Sequence, residues 1–229
     1  MKKLMFVAAA ALCASVFAAA IESSNIVGYA QSELKTGNVI VSAQFLGMTK
    51  DGGVDIQSIV ALGDDLNNVA IQTLDSYGRT DKMFMWDDWQ FDTPCWADEN
   101  GPAEKILQPG EALWVQGVNG YKFQSAGQVG TSDIVFNLKD GNVLVGNAFP
   151  IGVSIQDIIA TGDDLNDVAI QTLDTYGRTD KMFMWDDWQF DAPCWADENG
   201  PTDMILQPGE GLWVQGKTGY TIRIPAPEL

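Results

Sequence analysis

The chain carries nearly the same segment twice. Val54 to Tyr121 aligns without a gap on Val153 to Tyr220, 99 residues later, and only 13 of the 68 aligned positions differ. A repeat of this length is typical of two copies of one folding unit. A recent duplication would preserve residues whatever they do, so identity between the copies does not by itself mark a functional residue.

The N-terminus has the pattern of a secretory signal. Lys2 and Lys3 precede an apolar run from Leu4 to Phe17, and three alanines follow at 18–20. The run is too short to span a bilayer core of about 30 Å. We therefore predict a signal peptide at 1–20, a first β-rich repeat at 21–129 and a second at 130–229, with no transmembrane segment in the mature chain. The expected location is the extracellular space, the cell surface or the periplasm.

Charge and composition narrow the classes of function. The formal net charge of −18 becomes −20 once Lys2 and Lys3 are removed. Such acidity disfavours nucleic acid as a partner, because phosphates are neutralised by Lys and Arg. The chain contains no His, which removes Ser-His and Cys-His nucleophiles and His-based zinc sites. We therefore predict that the protein is not an enzyme, and a hydrolase using paired carboxylates is the alternative.

Strand and turn signals predict a mainly β fold. Each repeat is expected to open with a hairpin around a Gly-Asn turn. The paired segments are 25–34 with 39–45 around Gly37, and 132–138 with 143–149 around Gly141. Further short strands separated by Gly, Pro and Asn turns favour two tandem antiparallel β-sandwich or barrel-like units, each with one short helix. No Gly-, Pro- or Ser-rich linker separates the repeats, so we expect them to pack as a pseudo-symmetric pair.

The one short helix of each repeat is expected after the opening strands. Ser154 followed by Asp157 forms a capping-box pattern, and Gly162 is expected to end the helix. Asp55 and Gly63 hold the corresponding places in the first repeat. Two turns of helix are marginal alone in water, so the helix must lie on a sheet.

The densest aromatic segment runs from residue 83 to 91 and recurs at 182–190. If Asp87 and Asp88 form a two-residue turn, Trp86 faces Trp89 and Phe84 faces Phe91, so all four rings share one face. The favoured interpretation is that this ladder fills the core. The alternative is an exposed platform on which sugar rings stack, and a longer loop in place of the tight turn stays open.

Tryptophans are the candidate ligand-binding residues. Trp96 and Trp195 follow the ladder in a loop, and loops carry binding residues more often than strands do. These two rings are therefore the candidates for the alternative function, a glycan-binding surface, with Trp89 and Trp188 as further candidates.

Carboxylates near these rings suggest calcium as the one candidate cofactor. Calcium takes six to eight oxygen ligands, which short Asp and Asn spacings can supply. A solvated acidic face is the favoured interpretation, and the candidate ligands are Asp64, Asp65, Asp98 and Asn100 with Asp163, Asp164, Asp197 and Asn199.

Two cysteines are left after signal cleavage, Cys95 and Cys194, at equivalent places in the repeats. Export permits a disulfide. Equivalent residues can pair only if a twofold axis passes near them, so one unpaired thiol per repeat is favoured.

Two segments carry a resemblance to a family. Residues 23–29, Ser-Ser-Asn-Ile-Val-Gly-Tyr, follow the signal sequence, and residues 107–115 with their twin at 206–214 place an aromatic strand after Pro-Gly. These segments resemble uncharacterised exported tandem-repeat proteins of planctomycete- and verrucomicrobia-type bacteria. The second repeat departs from the pattern, since it has Thr131-Ser132-Asp133 where the first has Ser-Ser-Asn. The resemblance implies export and tandem β architecture and brings no activity with it.

These patterns together predict an exported, non-catalytic structural or assembly protein of the cell surface or extracellular space. Its expected partners are copies of itself or other surface proteins. The alternative is a glycan-binding protein that uses loop tryptophans, assisted by calcium.

Overall fold

The computed structural model describes residues 27–47, 52–64, 66, 69–163, 165 and 168–227. The predicted signal peptide lies outside the described residues. Within them, no helix is long and apolar enough to cross a membrane.

The same series of strands occurs twice along the described chain. In the first repeat the strands are β1 (Val27–Glu33), β2 (Gly37–Ser42), β3 (Val54–Asp55), β4 (Val60–Leu62), β5 (Ala70–Leu74), β6 (Thr80–Asp87), β7 (Cys95–Asp98), β8 (Gly101–Pro102), β9 (Ile106–Leu107), β10 (Ala112–Gly117) and β11 (Lys122–Gln128). In the second repeat they are β12 (Ile134–Asn137), β13 (Gly141–Gly146), β14 (Val153–Ser154), β15 (Ile159–Thr161), β16 (Ala169–Leu173), β17 (Thr179–Asp186), β18 (Cys194–Asp197), β19 (Gly200–Pro201), β20 (Ile205–Leu206), β21 (Gly211–Gly216) and β22 (Thr221–Ile224).

Each repeat contains a large and a small antiparallel sheet. The first repeat has a six-stranded sheet in the order β2-β10-β5-β6-β7-β8 and a three-stranded sheet in the order β1-β11-β4, and β3 pairs with β9. The second repeat has the same orders in its own strands. The prediction of a mainly β chain built from two similar units is therefore confirmed.

The core of each repeat lies between its two larger sheets. Alternate residues of the six-stranded sheet, including Ile71, Phe84 and Val115, are buried with Phe123 and Ala61 of the three-stranded sheet. The second repeat buries the equivalent set, including Ile170, Phe183 and Val214. Side chains alternate between the faces of a strand, so the other face of the large sheet is available for other contacts.

The predicted opening hairpins are wrong. β1 pairs with β11 and β2 pairs with β10, so the segments on either side of Gly37 belong to different sheets. Gly37 and Gly141 do adopt positive φ, 109° and 95°. The conformation that the turn signal predicted is therefore present, but it redirects the chain from one sheet to the next, because a longer ladder forms with distant strands.

The predicted short helix is a single 3₁₀ turn in each repeat, Ile56–Ser58 and Ile155–Asp157. The predicted caps are present, since the side chains of Asp55 and Ser154 accept hydrogen bonds from Gln57 N and Gln156 N. The predicted stops at Gly63 and Gly162 are wrong. The turn ends sooner because the next residues pair as β4 and β15 with β11 and β22.

Candidate functional site

Trp96 and Trp195 lie in the cores of the two repeats. Each is 0 % exposed. Trp96 pairs across the ladder with Trp86, their ring centroids 5.1 Å apart in an edge-to-face arrangement, and its indole N–H donates to the carbonyl of Ile59 at 2.6 Å. Trp195 has the same contacts with Trp185 and Ile158. The polar end of each indole is satisfied inside the protein, as a buried tryptophan requires.

A glutamine clamps the strand that carries each buried tryptophan. The Gln57 amide nitrogen donates to the carbonyls of Trp96 and Ala103, each at 2.8 Å, and its oxygen accepts from Trp96 N at 2.9 Å. Gln156 repeats these bonds around Trp195. The 3₁₀ turn positions this glutamine, so the turn holds β7 and β18 in place. No sequence pattern suggested this role.

The burial of Trp96 and Trp195 corrects the prediction that they form a sugar-stacking platform. Stacking needs an accessible ring face, and both rings are enclosed. The prediction failed because Pro94-Cys95-Trp96 was assigned to a loop, whereas Cys95–Asp98 forms a strand whose register places Trp96 opposite Trp86.

Trp89 and Trp188 are exposed on the surface, each 72 % accessible. The predicted pairing of Trp86 with Trp89 is wrong, because the connection between β6 and β7 spans residues 88–94. The Asp87 side chain accepts hydrogen bonds from Trp89 N and Gln90 N, at 3.1 and 2.7 Å, and this turn ends the strand. Phe84 and Trp86 belong to the core as predicted, whereas Trp89 lies outside it.

The predicted calcium ligands are only partly described. Asp65 and Asp164 lie outside the described residues. Asp98 and Asp197 accept hydrogen bonds from the backbone of Asn100 and Asn199, at 2.8 and 2.7 Å, as turn-forming side chains. Among the described residues, which include Asp64 and Asp163, no group of three or more His, Cys, Asp or Glu side chains is placed to hold a metal ion. Calcium binding stays a prediction.

Cys95 and Cys194 are free thiols. Each faces an aspartate across the β6–β7 or β17–β18 ladder, Asp87 and Asp186. Burial raises the pKa of both thiols above their ordinary value, and the neighbouring carboxylate raises it further. Such thiols are protonated at neutral pH and are poor nucleophiles.

The two repeats contact each other through matched hydrogen bonds. Asn38 N donates to the carbonyl of Thr175 at 3.0 Å, and the equivalent Asn142 N donates to Ser76 at 2.9 Å. A second matched set joins Ser42 N to Gly209 O and Gly146 N to Gly110 O, both at 2.8 Å. Each contact from one repeat is returned by the other, which is the property of an interface on a twofold axis.

Two tryptophans lie at this axis. Trp114 and Trp213, which are equivalent, pack edge-to-face with centroids 5.7 Å apart. Their indole N–H groups donate to the side chains of Asn38 and Asn142 at 2.9 and 2.8 Å. Around them Ile40, Ala112 and Leu144 form a separate buried cluster, joined by the half-buried Leu74 and Leu173.

Each repeat also places a tight turn against the tryptophan of the other repeat. A Cβ on Gly78 would lie 2.5 Å from the Trp213 ring, and one on Gly177 would lie 2.6 Å from Trp114. Both glycines have positive φ, 77° and 78°. Glycine is therefore needed at both positions, because it adopts the positive φ and because a side chain would collide with the tryptophan ring. The sequence predicted that the repeats pack as a pair, but no pattern in it indicated that these glycines and tryptophans form the contact.

The same turns present two exposed tyrosines. Tyr77 and Tyr176 are 77 % and 76 % accessible, and the Arg79 guanidinium lies 5.0 Å from the Tyr77 ring centroid. Asp75 accepts from Arg79 N, Tyr77 N and the Arg79 side chain, all at 2.9 Å. The backbone hydrogen bond from Arg79 is the main reason that the pKa of Asp75 lies below its ordinary value, and its side chain adds to this.

Two equivalent grooves flank the contact between the repeats. The β12 groove, about 790 Å³, lies between β12 and Leu74, Ser76, Gln108 and Glu111 of the first repeat. The β1 groove, about 740 Å³, lies between β1 and Leu173, Thr175, Gln207 and Glu210 of the second repeat. Both grooves are open to solvent and are lined by both repeats.

Comparison with protein-family models, with curated proteins and with solved structures gives no match. The resemblance to exported tandem-repeat proteins therefore stays a prediction. The exposed features that occur in both repeats include the Trp89 and Trp188 loops, the tyrosine turns and the two grooves.

Proposed function

We propose that this chain is an exported, non-catalytic structural or assembly protein that joins partners through duplicated surfaces. The observation that carries the proposal is the matched contact between the repeats around Trp114 and Trp213. A buried cluster and reciprocal backbone hydrogen bonds fix one repeat on the other. Each surface feature of one repeat therefore has an equivalent in the other repeat, held at a fixed distance and angle from it.

The Trp89 and Trp188 loops are the proposed contact surfaces. The Trp89 loop joins β6 to β7. In the large sheet of the first repeat, β5 separates these two strands from β2 and β10. The second repeat has the same arrangement, in which β16 separates β17 and β18 from β13 and β21. Both loops are thus away from the contact between the repeats and on opposite sides of the axis. Exposed tryptophans are frequent anchors of protein interfaces. A rigid body with two such loops can join two partners.

The fractionation of producing cells tests the assembly role. We expect the wild-type protein to sediment with surface or extracellular material, and the Trp89→Ala/Trp188→Ala double variant to be released as a soluble protein. The matched control is Tyr77→Ala/Tyr176→Ala, which removes two equally exposed rings from another surface and should leave the protein in the sediment. Recovery of the wild-type protein as a free monomer with a measured turnover reaction would contradict the proposal.

A second candidate function is glycan binding by the same two loops. The observation that favours it is the exposure of the Trp89 and Trp188 rings, since an open indole face can stack on the apolar face of a sugar. A glycan array run with and without calcium, on wild-type protein and on the Trp89→Ala/Trp188→Ala variant, tests it. Binding that survives the double substitution would contradict this use of the rings.

A further inference from the structure

The two grooves each contain the open edge of a β-strand. β12 lies at one end of the order β12-β22-β15, and β1 lies at one end of β1-β11-β4. Backbone groups at a strand edge are available to pair with another strand.

Antiparallel pairing identifies the outward-facing backbone groups. Leu138 N donates to Tyr220 O, so residue 138 faces β22, and every second residue along β12 does the same. Val135 and Asn137 therefore direct their N–H and C=O away from β22. In β1, Leu34 N donates to Tyr121 O, so residue 34 and every second residue before it face β11. Gln31 and Glu33 therefore direct their N–H and C=O groups away from β11.

These four residues line the grooves. Val135 and Asn137 line the β12 groove, and Gln31 and Glu33 line the β1 groove. Among the described residues, no hydrogen bond joins the outward backbone groups of these four to another part of the chain. Each groove thus offers two N–H and two C=O groups at the two-residue spacing of a strand.

We propose that each groove binds an extended peptide segment, which adds as a strand to β1 or β12. The other repeat supplies one wall of each groove, and the space of about 740 or 790 Å³ beside the strand edge can admit a short extended segment. Backbone pairing supplies the affinity in this mode of recognition, and side-chain pockets supply the preference. The inference relies on the assembly role proposed above for its biological meaning.

Charge favours a basic segment in both grooves. The β1 groove is lined by four carboxylates and two lysines, and the β12 groove by three carboxylates and two lysines. In each groove part of this charge is already paired, as in the ion pairs of Glu33 with Lys122 and of Glu111 with Lys105, so the grooves differ little. The net charge of −18 over the whole chain also attracts cationic peptides. We therefore expect both grooves to bind a basic peptide with similar affinity.

A fluorescent peptide of alternating valine and lysine, seven residues long and blocked at both ends, is the probe. Fluorescence anisotropy at 150 mM salt should show two peptides bound per chain. A further peptide of the same sequence carries an N-methyl group on every backbone amide. It keeps the charge of the parent peptide but has no amide donor for the strand edge in any register. It should therefore lose at least about tenfold in affinity.

Two proline substitutions test the protein side. Proline at an outward-facing position removes a donor that makes no ladder hydrogen bond, so Gln31→Pro and Val135→Pro should leave β1 and β12 in their sheets. Each single variant should bind one peptide, and the double variant should bind none. Should either variant unfold, amide hydrogen exchange on the wild-type protein gives the same answer. Exchange at Gln31, Glu33, Val135 and Asn137 should slow when the peptide binds.

Several results would overturn the proposal. Equal binding of the parent and the methylated peptide would mean attraction by charge alone, and two sites in a folded double-proline variant would place the peptide elsewhere. A wild-type dimer that Gln31→Pro dissociates would make a second copy of the chain the occupant. None of these results bears on the release of the Trp89→Ala/Trp188→Ala variant from surface material, so failure here is distinguishable from failure of the assembly role.

Discussion

Trp89, in the connection between β6 and β7, and Trp96, in β7, have opposite environments. Trp89 is 72 % exposed and Trp96 is 0 % exposed, although only six residues separate them. Trp96 pairs with Trp86 across the ladder, whereas the Asp87 side chain binds Trp89 N and ends the strand before Trp89 can pair. The comparison teaches that strand register and one capping carboxylate, more than hydrophobicity, decide which ring stabilises the fold and which is left to contact partners.

The largest expected difference lies between Trp96→Ala and Trp89→Ala. Removing the buried ring leaves a cavity and orphans the carbonyl of Ile59, so we expect a loss of about 3–5 kcal/mol of unfolding free energy. Removing the exposed ring should change stability by no more than about 0.5 kcal/mol. Chemical denaturation measures both, and Trp195→Ala with Trp188→Ala repeats the test in the second repeat. Equal losses for the two rings of one repeat would break the comparison.

A smaller effect is expected from Gln57→Ala. The change removes both hydrogen bonds to the Trp96 and Ala103 carbonyls and the one from Trp96 N, in a half-buried place. We expect a loss of about 1–3 kcal/mol, because buried backbone groups lose their partners. Gln156→Ala should give a similar loss, and Gln90→Ala, at an exposed side chain, is the matched control. A stable Gln57→Ala variant would show that ladder pairing alone holds Trp96.

The stability of the turn that carries Tyr77 should depend on pH through the ionisation of Asp75. Because the folded pKa of Asp75 lies below its ordinary value, its contribution to stability is complete above about pH 3.9. The contribution is lost as the pH falls through the lower, folded pKa. NMR titration of Asp75 and of the equivalent Asp174 should give midpoints below those of ordinary aspartates, and Asp75→Asn should remove the acid dependence of the Tyr77 ring signals. An ordinary midpoint would mean that the turn is open in solution.

The smallest expected effect is a change in the alkylation rate of Cys95, which lies opposite Asp87. Burial and the charge of Asp87 raise the pKa of Cys95, so alkylation at pH 8 should be slow. Asp87→Asn should speed the alkylation of Cys95 by a few-fold, since it removes the second cause and leaves the burial. Cys194, next to the unchanged Asp186, is the control in the same molecule. Equal rates for both thiols in this variant would contradict the described environment.

The fold class was within reach of the sequence, whereas its pairings were not. Turn residues and alternating apolar residues reported local conformation correctly, as the positive φ of Gly37 and the cap at Ser154 show. They could not report that β1 would pair with β11 rather than with β2, because that choice depends on contacts about 90 residues apart. Local signals therefore predicted turns and caps, and they missed the strand β7 and the partners of the strands.

The candidate site was less predictable for the same reason. Trp96 was assigned to a loop because Pro94 precedes it and acidic turn residues follow it, and its buried place depends on pairing with β6. The contact between Trp114 and Trp213 requires both repeats to be folded, so no window of sequence contains it. Duplication predicted two similar units packed as a pseudo-symmetric pair, and the matched hydrogen bonds show which residues form the contact.

The coupling energy between Trp114 and Trp213 tests most directly whether the repeats form one rigid body. A double-mutant cycle with Trp114→Leu, Trp213→Leu and the double variant gives this energy from chemical denaturation. For an edge-to-face pair at this interface we predict a favourable coupling of about 0.5–1.5 kcal/mol and a single unfolding transition for the wild-type chain. A coupling of zero together with two separate unfolding transitions would contradict the account, because the repeats would then be independent.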